Sequence, residues 1–189
     1  MGKLTLILGG ARSGKSSFAQ QVAQRHSGAV IYLATAQALD GEMEDRIENH
    51  RRDRPKDWIT LEAPREVVAA LQKQGAAAEV VLLDCLTLLV TNLVMTAAPD
   101  EDHPDEQAAL QAVKDELAQL IPTIRTSKAD WIVVSNEVGL GLVPPYPLGR
   151  IYRDLLGRAN QELAAVADEV FWMVAGIPVP IHTYRLKPE

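Results

Sequence analysis

The sequence has a single cysteine, Cys85, among 189 residues. One thiol excludes an intrachain disulfide and a cysteine-based metal cluster, and it fits a reducing, cytoplasmic compartment. An excess of positive charge is also missing: 19 Lys and Arg stand against 25 Asp and Glu, a formal net charge of −6. General nucleic-acid binders use basic surfaces to neutralise phosphates, so that class is disfavoured, whereas a local basic site is not. No apolar run suits a membrane span. The most apolar window, Val80 to Met95, is broken by Asp84, Thr87, Thr91 and Asn92, and it reads as a buried strand followed by a helix. The chain enters an apolar strand within its first residues, so no signal peptide is expected. No internal repeat or linker divides the sequence, and residues 1–189 are expected to form one domain.

What is present is an alternation of β-branched apolar runs with helical periods. At 47% hydrophobic and 23% charged residues, the chain has the balance of a soluble globular protein. Strands are expected at Leu4–Leu8, Val30–Ala34, Trp58–Leu61, Val80–Leu83, Trp131–Val134, Val170–Val174 and Val179–His182. Helices are expected at Lys15–Arg25, Glu42 to about Arg52, Arg65–Gln74, Leu86–Met95, Asp105–Leu120 (stopped by Pro122) and Leu148–Ala167. This order implies an α/β fold, a mostly parallel sheet flanked by helices on both faces. Ligands of such sheets bind at the carboxyl ends of the strands. Thr96–Gln107 carries five acids and two prolines and reads as a solvated loop. Gly139–Gly149, with three glycines and three prolines, follows a strand and is expected to form a lid or rim at the ligand-binding edge.

The strongest local signal is Gly9-Gly10-Ala11-Arg12-Ser13-Gly14-Lys15-Ser16. It fits G-x-x-x-x-G-K-[ST] and lies between an apolar strand and a helix, as a phosphate-binding loop requires. Its glycines let backbone N–H groups turn toward phosphate oxygens, and the following helix adds its positive end. Lys15 is then expected at the β/γ-phosphates, and the Ser16 hydroxyl on Mg²⁺. The ligand class is a nucleoside triphosphate. Asp84 closes the strand Val80–Leu83 and is either a second Mg²⁺ anchor or the N-cap of the following helix.

Met43, Ile47 and His50 share a helix face, and Arg51, Arg52, Asp53 and Arg54 follow before Pro55. By spacing alone, His50 reads as a boundary histidine and the arginines as solvated charge. Together they also suit a histidine nucleophile beside a polyphosphate leaving group. Adjacent cations favour the neutral imidazole, whereas a helix C-terminus favours the imidazolium. Ser135-Asn136-Glu137-Val138-Gly139 brings polar groups to the active edge of the sheet, or forms an ordinary strand-end turn. The Asn-Lys-x-Asp loop of small GTPases is absent there: Glu137 replaces the lysine, which disfavours a nucleotide-gated switch. His26, His103 and His182 lack metal-ligand spacing.

These segments together resemble the bifunctional adenosylcobinamide kinase/adenosylcobinamide-phosphate guanylyltransferase family of cobalamin biosynthesis. The resemblance rests on residues 9–16, Tyr32-Leu33-Ala34-Thr35-Ala36, Asp40-Gly41-Glu42-Met43, Arg46-Ile47 with His50, Arg54-Pro55 and Trp58. It extends to Asp84-Cys85-Leu86-Thr87, Thr91-Asn92-Leu93, Ser135 to Gly139, Gly157-Arg158-Asn160 and Ala167-Asp168-Glu169. It implies a RecA-like P-loop domain that works as a homotrimer. It also implies two reactions: phosphorylation of adenosylcobinamide with ATP or GTP, then transfer of GMP from GTP to adenosylcobinamide phosphate. By the same resemblance His50 carries the GMP. Nucleotide binding falls to Gly9, Gly10, Ala11, Arg12, Ser13, Gly14, Lys15, Ser16, Ala34, Thr35, Ala36, Arg51, Arg52, Asp53, Arg54, Glu62 and Asp84. Two alternatives stay open: a kinase with a structural His50, and a nucleotide-gated binding protein.

Overall fold

In a computed structural model of the chain, residues 1–37, 41, 48, 51, 52, 54–75 and 77–185 are described. The elements are β1 (Leu4–Gly9), α1 (Lys15–Ala23), β2 (Val30–Ala34), β3 (Ile59–Glu62), α2 (Val67–Gln74), β4 (Val80–Asp84) and α3 (Leu86–Ala97). They continue with α4 (Glu106–Thr126), β5 (Asp130–Asn136), α5 (Pro147–Val166), β6 (Glu169–Val174), β7 (Ile177–Pro180) and a 3₁₀ turn at Ile181–Tyr184. One seven-stranded sheet has the order β3-β2-β4-β5-β1-β6-β7. All pairs are parallel except the β6–β7 hairpin.

The side-chain alternation of the strands sorts the core into two layers. Leu6, Leu8, Leu33, Leu83 and Val133 pack with α2, α3, α4 and α5 on one face. Ile7, Tyr32, Leu82, Ile132 and Val134 pack with Ala19 and Ala23 of α1 on the other. The near-continuous apolar strands are what burial on both faces requires.

Several boundaries differ from expectation by a residue or two, and three differ for a tertiary reason. Helix α4 runs through Pro122 to Thr126. Proline costs one helical hydrogen bond there, but Leu117, Leu120 and Ile124 form one buried stripe on either side of it, and that burial holds the helix. Helix α2 begins at Val67, not Arg65, because Glu66 is in a left-handed conformation, φ 53°. The Glu116 carboxylate of α4 accepts from Glu66 N (3.0 Å) and Val67 N (2.9 Å), so a neighbouring helix caps the orphan donors of this one. The last strand ends at Pro180, and His182 lies in the 3₁₀ turn. There its Nδ1 meets the backbone N–H of Val170 at 3.3 Å, and its ring packs edge-on to Phe171.

Candidate functional site

The phosphate loop joins the end of β1 to the start of α1. Gly14 has a left-handed φ of 93° and gives α1 no side-chain cap, which leaves the first-turn N–H groups to a ligand. A Cβ on Gly14 would lie 3.2 Å from Gly176 Cα, and one on Gly9 only 2.7 Å from the Met173 carbonyl oxygen. Those two glycines are required by close approach. Gly10 is different: a Cβ there meets nothing within 4 Å. Arg12 holds a left-handed φ of 55°, a strained conformation of the kind found at ligand clamps.

Both ends of the loop are tied to neighbouring strands. Glu137 N donates to Gly9 O at 3.1 Å, and Gly176 N donates to Ser13 O at 3.0 Å. The second tie comes from the β6–β7 turn, which sequence reasoning did not connect with the loop. Ala175-Gly176 between two apolar runs signals a hairpin, but not what the hairpin touches. Inside this frame Lys15 is buried, and its Nζ donates to Gly10 O at 2.5 Å. Burial pulls its pKa below the ordinary lysine range, while Cys85 and Asp84 act against that shift. Asp84 therefore lies close enough for its field to act on the Lys15 ammonium, although β5 separates their strands.

The second part of the site spans the carboxyl ends of β3, β2 and β4. Ala34 is in register with Glu62 on one side and Asp84 on the other. Tyr32 Oη donates to Asp84 Oδ2 at 2.9 Å. The Arg54 guanidinium lies 3.4 Å above the Tyr32 ring, and its Nη1 donates to Thr60 at 2.7 Å. Burial, then the Asp84 charge, raise the Tyr32 pKa, so the phenol stays a donor. Arg51 pairs with Glu62. Arg52 pairs with Glu48, four residues earlier, at 3.1 Å and largely exposed. Thr35 is fully buried, and its Oγ1 both accepts from Cys85 N (2.8 Å) and donates to Cys85 O (2.7 Å). This fastens the Ala34–Ala36 turn to the start of α3.

Thus Ala34, Thr35, Arg51, Arg54, Glu62 and Asp84 come together at one edge, and Arg52 is turned to Glu48. His50 and Asp53 lie outside the described residues. Asp84 does not cap α3: Cys85 is the N-cap, and no side chain caps that helix. One Asp84 oxygen takes the Tyr32 bond, which leaves the other for a cation. An oxygen pair from Ser16 and Asp84, completed by water and phosphate, is the donor set that suits Mg²⁺. Among the described residues no group of three or more His, Cys, Asp or Glu could hold a metal. Tyr32, which the sequence reading placed only in a strand, joins Asp84 and Arg54 at this edge.

The third part lies at the carboxyl end of β5, between β4 and β1. Asn136 N donates to Thr87 Oγ1 (2.7 Å), and Asn160 Nδ2 of α5 donates to Asn136 O (3.0 Å). Between the loop after β5 and the face of α5 opens a cleft of about 460 Å³, lined by Leu8, Glu137, Arg153, Gly157, Arg158 and Asn160, among others.

The family model described as cobinamide kinase / cobinamide phosphate guanyltransferase matches residues 5–181. The chain is 45% identical over 181 residues to the bifunctional adenosylcobalamin biosynthesis protein CobU of Escherichia coli (strain K12), covering 94% of this chain and 99% of that one. It is 42% identical over 176 residues to the bifunctional adenosylcobalamin biosynthesis protein CobP of Pseudomonas aeruginosa, covering 93% and 95%. Among solved structures, a prototypical ATPase from the type III secretion system of pathogenic bacteria matches with a TM-score of 0.55 at 11% identity, over 99% of this chain and 60% of that one. That likeness concerns the P-loop ATPase fold alone.

Proposed function

Because the chain belongs to the cobinamide kinase / cobinamide phosphate guanyltransferase family, we propose that its single phosphate loop serves both reactions of that family. The protein is a bifunctional enzyme of cobalamin biosynthesis. Our reading concerns which residues do the work. In the kinase step Lys15 holds the β/γ-phosphates of ATP or GTP and offsets charge on the transferred group. The hydroxyl of adenosylcobinamide attacks the γ-phosphorus, and the nucleoside diphosphate leaves. Mg²⁺ held by Ser16 and Asp84 would add electrostatic stabilisation of that phosphate charge. Tyr32 orients the Asp84 carboxylate.

In the transfer step the His50 imidazole attacks the α-phosphorus of GTP, and pyrophosphate leaves. A phosphate oxygen of adenosylcobinamide phosphate then attacks the same phosphorus, the N–P bond breaks, and adenosylcobinamide-GDP forms. A covalent intermediate divides one exchange between two anions into two easier displacements. Arg51 and Arg54 follow His50 in sequence and neutralise the departing pyrophosphate. Between the two steps either the triphosphate shifts register along the loop or His50 moves in with its helix. The family reading also makes the working particle a cytoplasmic homotrimer.

The observation that carries this reading is the Tyr32–Asp84 hydrogen bond with Arg54 stacked over the Tyr32 ring, at the same carboxyl ends of the parallel strands as the phosphate loop. The test uses GTP labelled at the α- or the γ-phosphorus, with Mg²⁺ and no corrinoid, followed by denaturation. An acid-labile, base-stable adduct is expected from the α-label only, and it disappears in His50→Ala. Absence of that adduct in the wild-type chain sinks the histidine mechanism. Phosphorylation of adenosylcobinamide without an adduct identifies a kinase with a structural His50.

A further inference from the structure

The cleft beside β1 has no part in holding the nucleotide as described above. Its walls are Glu137 and Gly139 after β5 and one face of α5. Arg153, Gly157, Asn160 and Ala164 are spaced four, three and four residues apart, so they share that face. Its mouth adjoins the phosphate loop, because Leu8 lines it and Glu137 N is bonded to Gly9 O.

Three features mark it as a binding site. First, Gly157 sits in the middle of a 20-residue helix, where glycine is less favourable than alanine. No packing demands it, since a Cβ there meets nothing within 4 Å. Its missing side chain keeps the cleft open. Second, Asn160 is only 5% exposed, and its Oδ1 is buried without a hydrogen-bond partner among the described residues. Such a group is destabilising when nothing satisfies it. Third, two guanidiniums line the cleft. Arg153 is held only loosely by Asp154, at 3.7 Å. Arg158 is exposed, and among the described residues it has no ion pair or hydrogen bond.

We propose that this cleft is the acceptor subsite, which takes the end of the corrinoid's aminopropanol arm, with Arg153 and Arg158 recognising its phosphate in the second reaction. The proposal deepens the functional reading above and rests on it. The arm presents a neutral hydroxyl to the first reaction and a phosphate monoester to the second. Paired guanidiniums match a phosphate, and the Glu137 carboxylate can accept a hydrogen bond from the hydroxyl. A cleft of this size holds a polar arm and leaves the macrocycle outside. An acceptor seated here points at the phosphate loop from the side opposite α1.

The test measures binding of adenosylcobinamide phosphate and of GTP to the full chain by titration calorimetry. The variants are Arg158→Ala, Arg158→Lys and Gly157→Leu. Gly157→Leu fills the cleft and raises helix propensity, so a lost ligand cannot be ascribed to lost folding; thermal melting checks this. The expected result is at least tenfold weaker binding of adenosylcobinamide phosphate in Arg158→Ala and Gly157→Leu, with partial recovery in Arg158→Lys. GTP affinity and the yield of the α-labelled adduct stay within twofold of wild type. Equal loss of GTP binding would assign the cleft to the nucleotide and overturn the proposal. Unchanged corrinoid binding overturns it too, as does a wild-type chain without saturable corrinoid binding, with or without GTP. Failure of the histidine mechanism is read separately, from the missing adduct in wild type.

Discussion

The phosphate loop and the arginine-bearing edge of β2 and β3 handle the same charge by opposite means. The loop is backbone chemistry: two sterically required glycines, a helix start without a side-chain cap, and ties to β5 and to the β6–β7 turn. Of its two charged side chains, Arg12 is exposed and Lys15 is buried. The edge is side-chain chemistry. Arg51 and Glu62 are more than half exposed, and Arg54 is positioned by a ring and a hydroxyl. Preorganised donors suit a charge that always arrives at one place. Exposed arginines keep rotamer freedom, which suits a phosphate chain whose reacting atom differs between two reactions.

The comparison breaks first at Lys15. The apo protein buries an ammonium whose pKa is lowered chiefly by burial. Lys15→Met removes that charge while keeping a long apolar stem. Both phosphoryl transfer and GMP transfer should fall, the former by about 10³-fold, as when a preorganised charge donor is lost. The melting temperature should rise in the same variant. The sign follows from linkage. A basic group with a lowered folded pKa costs stability at every pH below that value. The cost fades as pH rises through the folded pKa toward the unfolded one. The stability advantage of Lys15→Met should therefore be full at neutral pH and shrink as the medium becomes alkaline. A variant that loses activity and stability together would show that Lys15 supports the fold.

How much of this was legible in the chain follows the same division. The phosphate loop is one contiguous segment, so its motif declared both its position and its use. The strand order β4-β5-β1 is not local. Nothing in Val80–Leu83 says that Trp131–Val134 will lie between it and Leu4–Leu8. The edge required the register of three strands: Tyr32, read as an apolar strand residue, meets Asp84 only because β2 pairs with β4. Its signal was a polar hydroxyl within a buried strand, which needs a partner. The α2 cap supplied by Glu116, fifty residues away from Glu66, was equally invisible. So was the cleft, since Gly157 looks like an ordinary weak point of a helix until the space in front of it is seen.

An intermediate effect is expected at Tyr32, where the two regions join through Asp84. Tyr32→Phe deletes one hydrogen bond and keeps the ring beneath Arg54. The net loss of such a bond is about 1 kcal/mol, which should lower the melting temperature by about 2–4 °C in a domain of this size. Both activities should drop by about tenfold, because Asp84 loses the group that fixes its orientation. If Mg²⁺ dependence is unchanged in a Mg²⁺ titration of the variant, Tyr32 does not act through a metal-binding Asp84.

The smallest effect sharpens the comparison most, because it separates neighbouring arginines. Arg52→Ala removes an exposed pair with Glu48, four residues earlier. Pairs of this kind contribute about 0.3–0.5 kcal/mol, so stability should be almost unchanged. Arg54→Ala removes a cation lying over a buried ring and a bond to Thr60. It also removes the countercharge nearest the Tyr32–Asp84 pair. The yield of α-labelled adduct should fall more than tenfold in Arg54→Ala and less than threefold in Arg52→Ala. Arg54→Lys should recover little, since an ammonium does not reproduce the flat guanidinium stack. Equal losses in both alanine variants would mean that the segment acts as a diffuse positive field, which screens with salt. Repeating the assay at high ionic strength decides this: a positioned Arg54 keeps its advantage over Arg52, and a diffuse field loses it.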